Sequence, residues 1–102
     1  MSPSALSFAV TRSSNPRSAE ARAKILEKPG FGVHFSDHMV TVHWDKENGW
    51  RDATVTPYGP ISLDPAAAVL HYGQEIFEGI KAYRHADGSV WTFRPEANAQ
   101  RM

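Results

Sequence analysis

The chain has no cysteine, no charge excess of either sign and no long apolar run. Each absence excludes a class of site or partner. Without cysteine it has no disulfide, no thiolate metal site and no cysteine nucleophile, which agrees with a reducing compartment. Eleven basic side chains balance eleven acidic ones, so no overall field exists to hold a nucleic-acid backbone or an anionic membrane surface. No apolar run approaches the roughly 20 residues of a membrane span. We therefore expect a cytoplasmic protein with neither nucleic acid nor membrane as a partner.

The composition is that of one folded domain with a modest core. The 102 residues are 41% hydrophobic and 11% aromatic, which is ordinary for a globular chain of this length. Strand-like and helix-like segments alternate along it. We therefore expect an α/β (α+β) fold.

The first 29 residues indicate an arm followed by a short helix. Ser, Pro and Asn residues surround a short extended candidate, Leu6–Thr11, and residues 1–17 are expected to lie outside the core. Asn15 followed by Pro16 predicts the start of a helix, which should run to Lys28 and stop before Pro29.

Two hairpins are expected. The alternating segment Met39–Trp44, a turn and a second strand at about Trp50–Pro57 predict the first. The second should pair Ile80–Arg84 with Ser89–Arg94 across a His-Ala-Asp-Gly turn.

Asp64 and Pro65 mark another helix start, since apolar residues then follow at helical intervals as far as Phe77. Gly73 could divide this helix, and Gly79 is its expected C-terminal cap. A third helix should follow Arg94-Pro95, and we expect it to continue beyond Met102 in a complete domain.

The candidate polar sites are weak when taken alone. His34 and His38 have i, i+4 spacing but stand between glycines and a strand, so ordinary histidines are favoured over a metal site. Glu75 and Glu78 could form an acid/base pair, but two carboxylates on an exposed helix are more often a solvated face.

A bound phosphate would need donors other than a glycine-rich loop, because the chain has no GxGxxG or GxxxxGK sequence. Arg94 and Arg101 lie around the expected start of the last helix, where guanidinium and free N–H groups could hold a small dianion. Surface positions are the more common role for such arginines. Phe31, Tyr72 and Phe77 could line an apolar ligand pocket or simply form core.

A longer sequence pattern selects among these alternatives. The run Leu70-His71-Tyr72-Gly73-Gln74-Glu75-Ile76-Phe77-Glu78-Gly79-Ile80-Lys81-Ala82-Tyr83 resembles the LHYxxxxFEGxKAY signature of branched-chain amino-acid aminotransferases, which are fold-type IV pyridoxal-phosphate enzymes. Three more stretches agree in order and spacing: residues 31–39, residues 50–57, and Phe93-Arg94-Pro95 with Asn98 and Arg101-Met102. Four collinear blocks are harder to obtain by chance than one short motif.

The resemblance implies the N-terminal part of a two-domain enzyme with pyridoxal 5'-phosphate held between the domains. Residues 1–29 would form the arm with its helix, and residues 30–102 most of the small domain, a mixed sheet with flanking helices. Arg101 matches the position that binds the cofactor phosphate in the family. Phe31, Tyr72 and Phe77 match positions that line the pocket for the substrate side chain.

The implied reaction transfers the amino group of Leu, Ile or Val to 2-oxoglutarate, so branched-chain amino acids and 2-oxo acids would be the small-molecule partners. The resemblance also implies a homodimer. The family's Schiff-base lysine belongs to the large domain, and Lys81 does not match it. We therefore expect no catalytic residue in this chain and no transamination by the chain alone.

Two other interpretations remain open from the sequence. D-amino-acid aminotransferases and a chorismate-derived lyase share parts of the small domain, although the joint presence of the residue 31–39 and FEGxKAY-like stretches favours the branched-chain group. The chain could also be a stand-alone binding or assembly module. The unfinished last helix argues against a stand-alone module, because an exposed core stripe is a liability unless it is covered.

Overall fold

The computed structural model describes residues 5–102 of the chain. Its elements, in order, are β1 (Ala9–Val10), α1 (Ala19–Glu27), β2 (His38–Asp45), β3 (Gly49–Pro57), α2 (Ala68–Tyr72), β4 (Ala82–Arg84), β5 (Val90–Thr92) and α3 (Pro95–Arg101). Helices and strands thus mix along the chain, and the α+β class expected from the sequence is confirmed.

The chain forms two compact units, Met1–Ile61 and Ser62–Met102. The first contains β1, α1, β2 and β3, and the second contains α2, β4, β5 and α3. The expected boundary after residue 29 falls inside the first unit, because the segment before it pairs with β3 and bonds to the residues that precede β2. The division into residues 1–29 and 30–102 stays a prediction about the complete protein.

The sheet of the first unit is mixed, as expected. Its order is β1-β3-β2, with β1 parallel and β2 antiparallel to β3. Ala9 pairs with Thr54, and the Thr11 N–H donates to the Val55 carbonyl at 2.9 Å. Residues 9–11 thus lie within the extended segment expected at Leu6–Thr11, and although they pair with β3 they are exposed and not part of a core. Residues 1–4 lie outside the described part.

A β-bulge in β3 produces the most buried position of the described chain. Thr41 pairs with Thr54 and His43 pairs with Arg51, so Val42 faces two residues of β3. The first of these, Asp52, has φ of 52°, a left-handed conformation that Asp tolerates better than most residues. The second, Ala53, is the one buried apolar residue among the described residues.

Helix α1 begins later than Asn15-Pro16 predicts. Its N-cap is Ser18, whose hydroxyl accepts a hydrogen bond from the Ala21 N–H at 3.1 Å. The Arg17 N–H and guanidinium both bond to the Asp37 carboxylate, 20 residues away, and this contact draws Arg17 out of the helix. The helix ends at Glu27, before Pro29, as predicted.

The first hairpin and its turn agree with the sequence. The Asp45 carboxylate accepts hydrogen bonds from the Glu47 and Asn48 N–H groups and pairs with the Arg51 guanidinium. The bond from Arg51, followed by those from Asn48, holds the pKa of Asp45 well below its ordinary value. One ionised side chain therefore both closes the turn and bonds to β3.

In the second unit the helix predicted after Asp64-Pro65 is confirmed for Ala68–Tyr72, and Gly73 interrupts it as the sequence allowed, but its continuation to Phe77 with a cap at Gly79 is wrong. Helix α2 ends at Tyr72, where Gly73 takes a left-handed conformation with φ of 58°. Residues 73–81, which contain most of the aminotransferase-like signature, have no regular secondary structure. Asp64 still begins a turn, because its carboxylate accepts from the Ala66 N–H at 2.7 Å.

The second hairpin and the last helix occur where they were expected. Strands β4 and β5 pair antiparallel with Tyr83 opposite Trp91, and the His85 N–H donates to the Ser89 carbonyl at 2.8 Å. Helix α3 starts with Pro95 after Arg94, which has a left-handed φ of 47°.

Candidate functional site

Arg101, the candidate phosphate-binding residue, is the last residue of α3. The interpretation that it lies with Arg94 around the start of this helix is wrong, because Arg94 is at the N-cap and Arg101 is at the other end. At about 1.5 Å per residue, the two helix ends are roughly 10 Å apart. The free N–H groups of α3 and the Arg101 guanidinium therefore do not form one anion site.

The partner of Arg101 is Glu78. Nε of Arg101 donates to Oε1 of Glu78 at 2.5 Å, and Nη2 donates to Oε2 at 3.0 Å. This is the bidentate arrangement that fits a planar guanidinium to a carboxylate. The Glu78 side chain is only 18% exposed, whereas that of Arg101 is 66% exposed.

Glu78 receives two more hydrogen bonds. Nδ2 of Asn98 and the Gly79 N–H each donate to Oε2 at 2.9 Å. Nδ2 of Asn98 also donates to the Gly79 carbonyl at 2.8 Å. The signature segment around Phe77 and helix α3 are thus joined by one carboxylate and one amide.

These contacts shift two pKa values. The Arg101 hydrogen bonds, then those from Asn98 and the Gly79 N–H, lower the pKa of Glu78 to about 2. The Glu78 carboxylate raises the pKa of Arg101. Both groups are therefore charged at neutral pH. The expectation that Glu75 and Glu78 form a solvated helix face is wrong, since neither lies in a helix and Glu78 is bonded to α3.

The three candidate pocket aromatics are almost fully exposed. Phe31 is 96% exposed, Tyr72 86% and Phe77 93%. The alternative that they form a core of this chain is therefore wrong. Tyr72 and Phe77 belong to the second unit and Phe31 to the first.

An open surface depression of about 470 Å³ lies beside Phe77. Apolar side chains of the signature segment and of the C-terminal residues line it, among them Ile76, Phe77, Ile80 and Met102, together with the polar Glu78 and Asn98. Tyr72 does not line it. The structure therefore brings Phe77 close to the Glu78–Asn98 cluster and leaves Tyr72 outside this depression.

Another depression, of about 350 Å³, belongs to the first unit. Ile25 and Leu26 of α1 and Phe35 give it apolar walls, and Arg17 and Arg22 give it positive charge. Gly30 and Gly32 line it, but Phe31 between them does not. Phe31 thus lies outside this depression.

The described residues contain neither a cluster of three possible metal ligands nor a helix that could span a membrane. Within residues 5–102 no group of three or more His, Asp or Glu side chains is placed to hold a metal ion. His38 begins β2 and accepts the Ser13 N–H on Nε2 at 2.8 Å. None of the described helices has the length and apolar character needed to cross a membrane.

Glu78 and Asn98 are part of the matching stretches of sequence, but their contact with Arg101 was not predicted. No local pattern indicates this contact, because the bonds to Glu78 come from residues 20 and 23 positions later. The spacing of Asn98 and Arg101, three residues apart before the end of a helix, was the available signal, since i, i+3 residues share a helix face.

The chain is similar along its whole length to curated aminotransferases. It is 56% identical over 102 residues to the branched-chain-amino-acid aminotransferase of Mycolicibacterium smegmatis, covering 100% of the chain and 28% of that relative. It is 62% identical over 90 residues, or 88% of the chain and 25% of the relative, to a probable branched-chain-amino-acid aminotransferase of Streptomyces coelicolor. The Mycobacterium tuberculosis enzyme of the same name is 52% identical over 102 residues, with 100% and 28% coverage.

The chain spans about a quarter of the length of these relatives. No family model matches it. The identities are nevertheless high and extend beyond the signature to the N-terminal residues that the motif comparison did not use. The resemblance found in the sequence is confirmed: the chain is related to the branched-chain-amino-acid aminotransferases.

Proposed function

We propose that the chain is the N-terminal part of a pyridoxal-phosphate-dependent enzyme that transfers the amino group of Leu, Ile or Val to 2-oxoglutarate. The observation that carries the proposal is the 52–62% identity of the chain to branched-chain-amino-acid aminotransferases along 88–100% of its length. Such identity over a continuous segment supports a common activity for the complete proteins. The catalytic lysine would come from the remainder of the polypeptide.

Arg101 is proposed to bind the cofactor phosphate. Its guanidinium is charged at neutral pH, largely exposed, and bonded to Glu78 through Nε and Nη2, which leaves the Nη1 donors for an oxygen of the phosphate. The Nη1 N–H donors of Arg101 therefore fit a phosphate oxygen of pyridoxal phosphate. Because the Arg101–Glu78 pair has no net charge, a phosphate dianion would need further N–H donors or cations from the rest of the protein.

Tyr72 and Phe77 of the second unit are proposed to form an apolar wall for the substrate side chain, and Phe31 is proposed separately to contact that side chain in the complete protein. Phe31, Tyr72 and Phe77 expose nearly all of their surface, which is costly unless a ligand or another part of the protein covers it. A branched aliphatic side chain gains about 0.8 kcal/mol for each methylene that it buries. The Tyr72 hydroxyl adds one polar group to this wall.

The residues of this chain would bind and orient the cofactor and the substrate. Pyridoxal phosphate, when bound, supplies an electron sink for the electron pair released as the substrate loses its α-proton. Arg101 would fix the cofactor by its phosphate, and the aromatic wall would exclude water from the substrate side chain.

Other exposed apolar residues support a larger assembly. Val40 and Trp44 of β2, Trp50 of β3 and Trp91 of β5 all expose more than half of their surface. The remaining three quarters of an aminotransferase would supply cover for them, with a homodimer adding a second copy. We further propose the cytoplasm as the location of this enzyme.

The test is the amino-donor range of the full-length protein that carries this chain. Purified protein, supplied with pyridoxal phosphate and 2-oxoglutarate, should form glutamate from L-Leu, L-Ile and L-Val and much less from D-Ala. Preference for D-Ala would favour the D-amino-acid aminotransferase alternative. Stoichiometric ligand binding without glutamate formation would favour a binding module.

A further inference from the structure

The Glu78 carboxylate joins the irregular segment that carries it to helix α3. It accepts hydrogen bonds from the Arg101 guanidinium, the Asn98 amide and the Gly79 backbone. We infer that Glu78 and Asn98 are positioning residues that fix the Arg101 guanidinium for phosphate binding. This inference rests on the proposed function and adds to it residues that do not themselves touch the cofactor.

The bidentate contact determines which edge of the guanidinium is available. Glu78 takes the edge formed by Nε and Nη2, at 2.5 Å and 3.0 Å. Nη1 remains for another acceptor. A long arginine side chain that is 66% exposed would otherwise sample many rotamers, and the loss of that freedom would weaken phosphate binding. The contact removes this freedom before the cofactor arrives.

Asn98 prevents Glu78 from moving independently of the segment that carries it. Its Nδ2 donates to Oε2 of Glu78 at 2.9 Å and to the Gly79 carbonyl at 2.8 Å. Asn98 precedes Arg101 by three residues, so both side chains lie on the same face of α3. The Glu78 carboxylate is consequently bonded both to side chains of α3 and to the backbone N–H of Gly79.

The negative charge of Glu78 and its positioning of Arg101 have opposite effects on the affinity for the phosphate. A carboxylate beside a bound phosphate dianion repels it, and neutralisation of Glu78 should strengthen binding if this repulsion dominates. Loss of the bidentate contact should weaken binding if positioning dominates. Our inference requires the second result, so the sign of the change decides between the two.

The experiment is a double-mutant cycle in the full-length protein. The dissociation constant of pyridoxal phosphate is measured for the wild type, Glu78→Gln, Arg101→Ala and the double variant. We expect Glu78→Gln to weaken binding about 5- to 20-fold when Arg101 is present and less than about twofold in the Arg101→Ala background. Glu75→Gln is the matched control, because Glu75 is an exposed carboxylate of the same segment, and it should leave the constant unchanged.

The outcomes of this cycle distinguish failure of the inference from failure of the proposed role of Arg101. Tighter binding by Glu78→Gln, or an equal loss in both Arg101 backgrounds, would overturn the inference and leave the phosphate role of Arg101 intact. Unchanged binding in Arg101→Ala would remove that role, and the inference with it. Thermal unfolding of each apo variant shows whether folding is preserved. If Glu78→Gln does not fold, Asn98→Ala takes its place in the cycle, with an expected loss of about 2- to 5-fold that also requires Arg101.

Discussion

Glu78 and Arg101 form a bidentate ion pair across 23 residues of sequence, with Nε to Oε1 at 2.5 Å and Nη2 to Oε2 at 3.0 Å. The pair joins a segment without regular secondary structure to the end of α3. It accounts for the low exposure of Glu78 and places the candidate phosphate ligand at a fixed point of the second unit.

The first prediction concerns the titration of Glu78. The hydrogen bonds from Arg101, then those from Asn98 and the Gly79 N–H, lower its pKa from the ordinary 4.5 to about 2, so together they stabilise the folded state fully above pH 4.5. This stabilisation is lost as the pH falls from about 4.5 to about 2. A ¹³C NMR titration of the side-chain carboxyl should show a midpoint near pH 2 in the chain and a higher midpoint in Arg101→Ala. Arg84→Ala, at an exposed arginine of β4, should leave the midpoint unchanged; an equal rise there would refute the assignment.

The second prediction concerns the end of α2. Gly73 has φ of 58°, and nothing lies within 4 Å of a Cβ added there, so the cost of Gly73→Ala is conformational. We expect a loss of about 1–2 kcal/mol in the free energy of unfolding, measured by urea denaturation. Gly79→Ala, in the same unit, with similar space and no positive φ, should cost less. Equal losses at the two positions would mean that the left-handed turn does not end the helix.

Patterns confined to a few neighbouring residues predicted structure well. Alternation in β2 and the turn at Asp45–Gly49 predicted the first hairpin, and the His-Ala-Asp-Gly turn predicted the second. These elements depend on nearby residues, so a short window contains most of their determinants.

Elements that depend on distant partners were predicted poorly. Helix α1 begins after the Ser18 cap, with Arg17 bonded to the distant Asp37, and the segment after Gly73 is not helical although its apolar spacing suggested a helix. The Glu78–Arg101 pair was missed for the same reason. The identity of Arg101 as a candidate came from family resemblance, since an isolated arginine near a helix end has no distinctive local pattern.

The third prediction concerns the N-terminal segment. Nε2 of His38 accepts the Ser13 N–H at 2.8 Å, which holds the segment after β1 against β2. His38→Phe removes this acceptor and should reduce the hydrogen-exchange protection of the Ser13 amide about fivefold, the effect of losing about 1 kcal/mol. His43→Phe, at an exposed histidine of the same strand, is the control. Unchanged protection in His38→Phe would show that other contacts hold the segment.

The fourth prediction concerns the apolar wall. Phe77→Ala in the full-length protein should lower kcat/KM for leucine roughly 10-fold or more, because several methylene-sized contacts are lost at about 0.8 kcal/mol each. The effect on alanine as donor should be smaller. Trp91→Ala, at an exposed aromatic of β5, should leave the ratio between the two donors unchanged. Equal losses for leucine and alanine would place Phe77 outside the side-chain pocket.

Cofactor-dependent transamination tests the central claim most directly. The full-length protein is freed of cofactor, and glutamate formation from leucine and 2-oxoglutarate is measured against the concentration of pyridoxal phosphate, with Arg101→Ala in parallel. The account predicts saturable activation in the wild type and a half-saturating concentration about 10- to 100-fold higher in Arg101→Ala, as expected for the loss of charge-assisted hydrogen bonds. Absence of glutamate at every cofactor concentration, or identical activation curves for the two proteins, would contradict it.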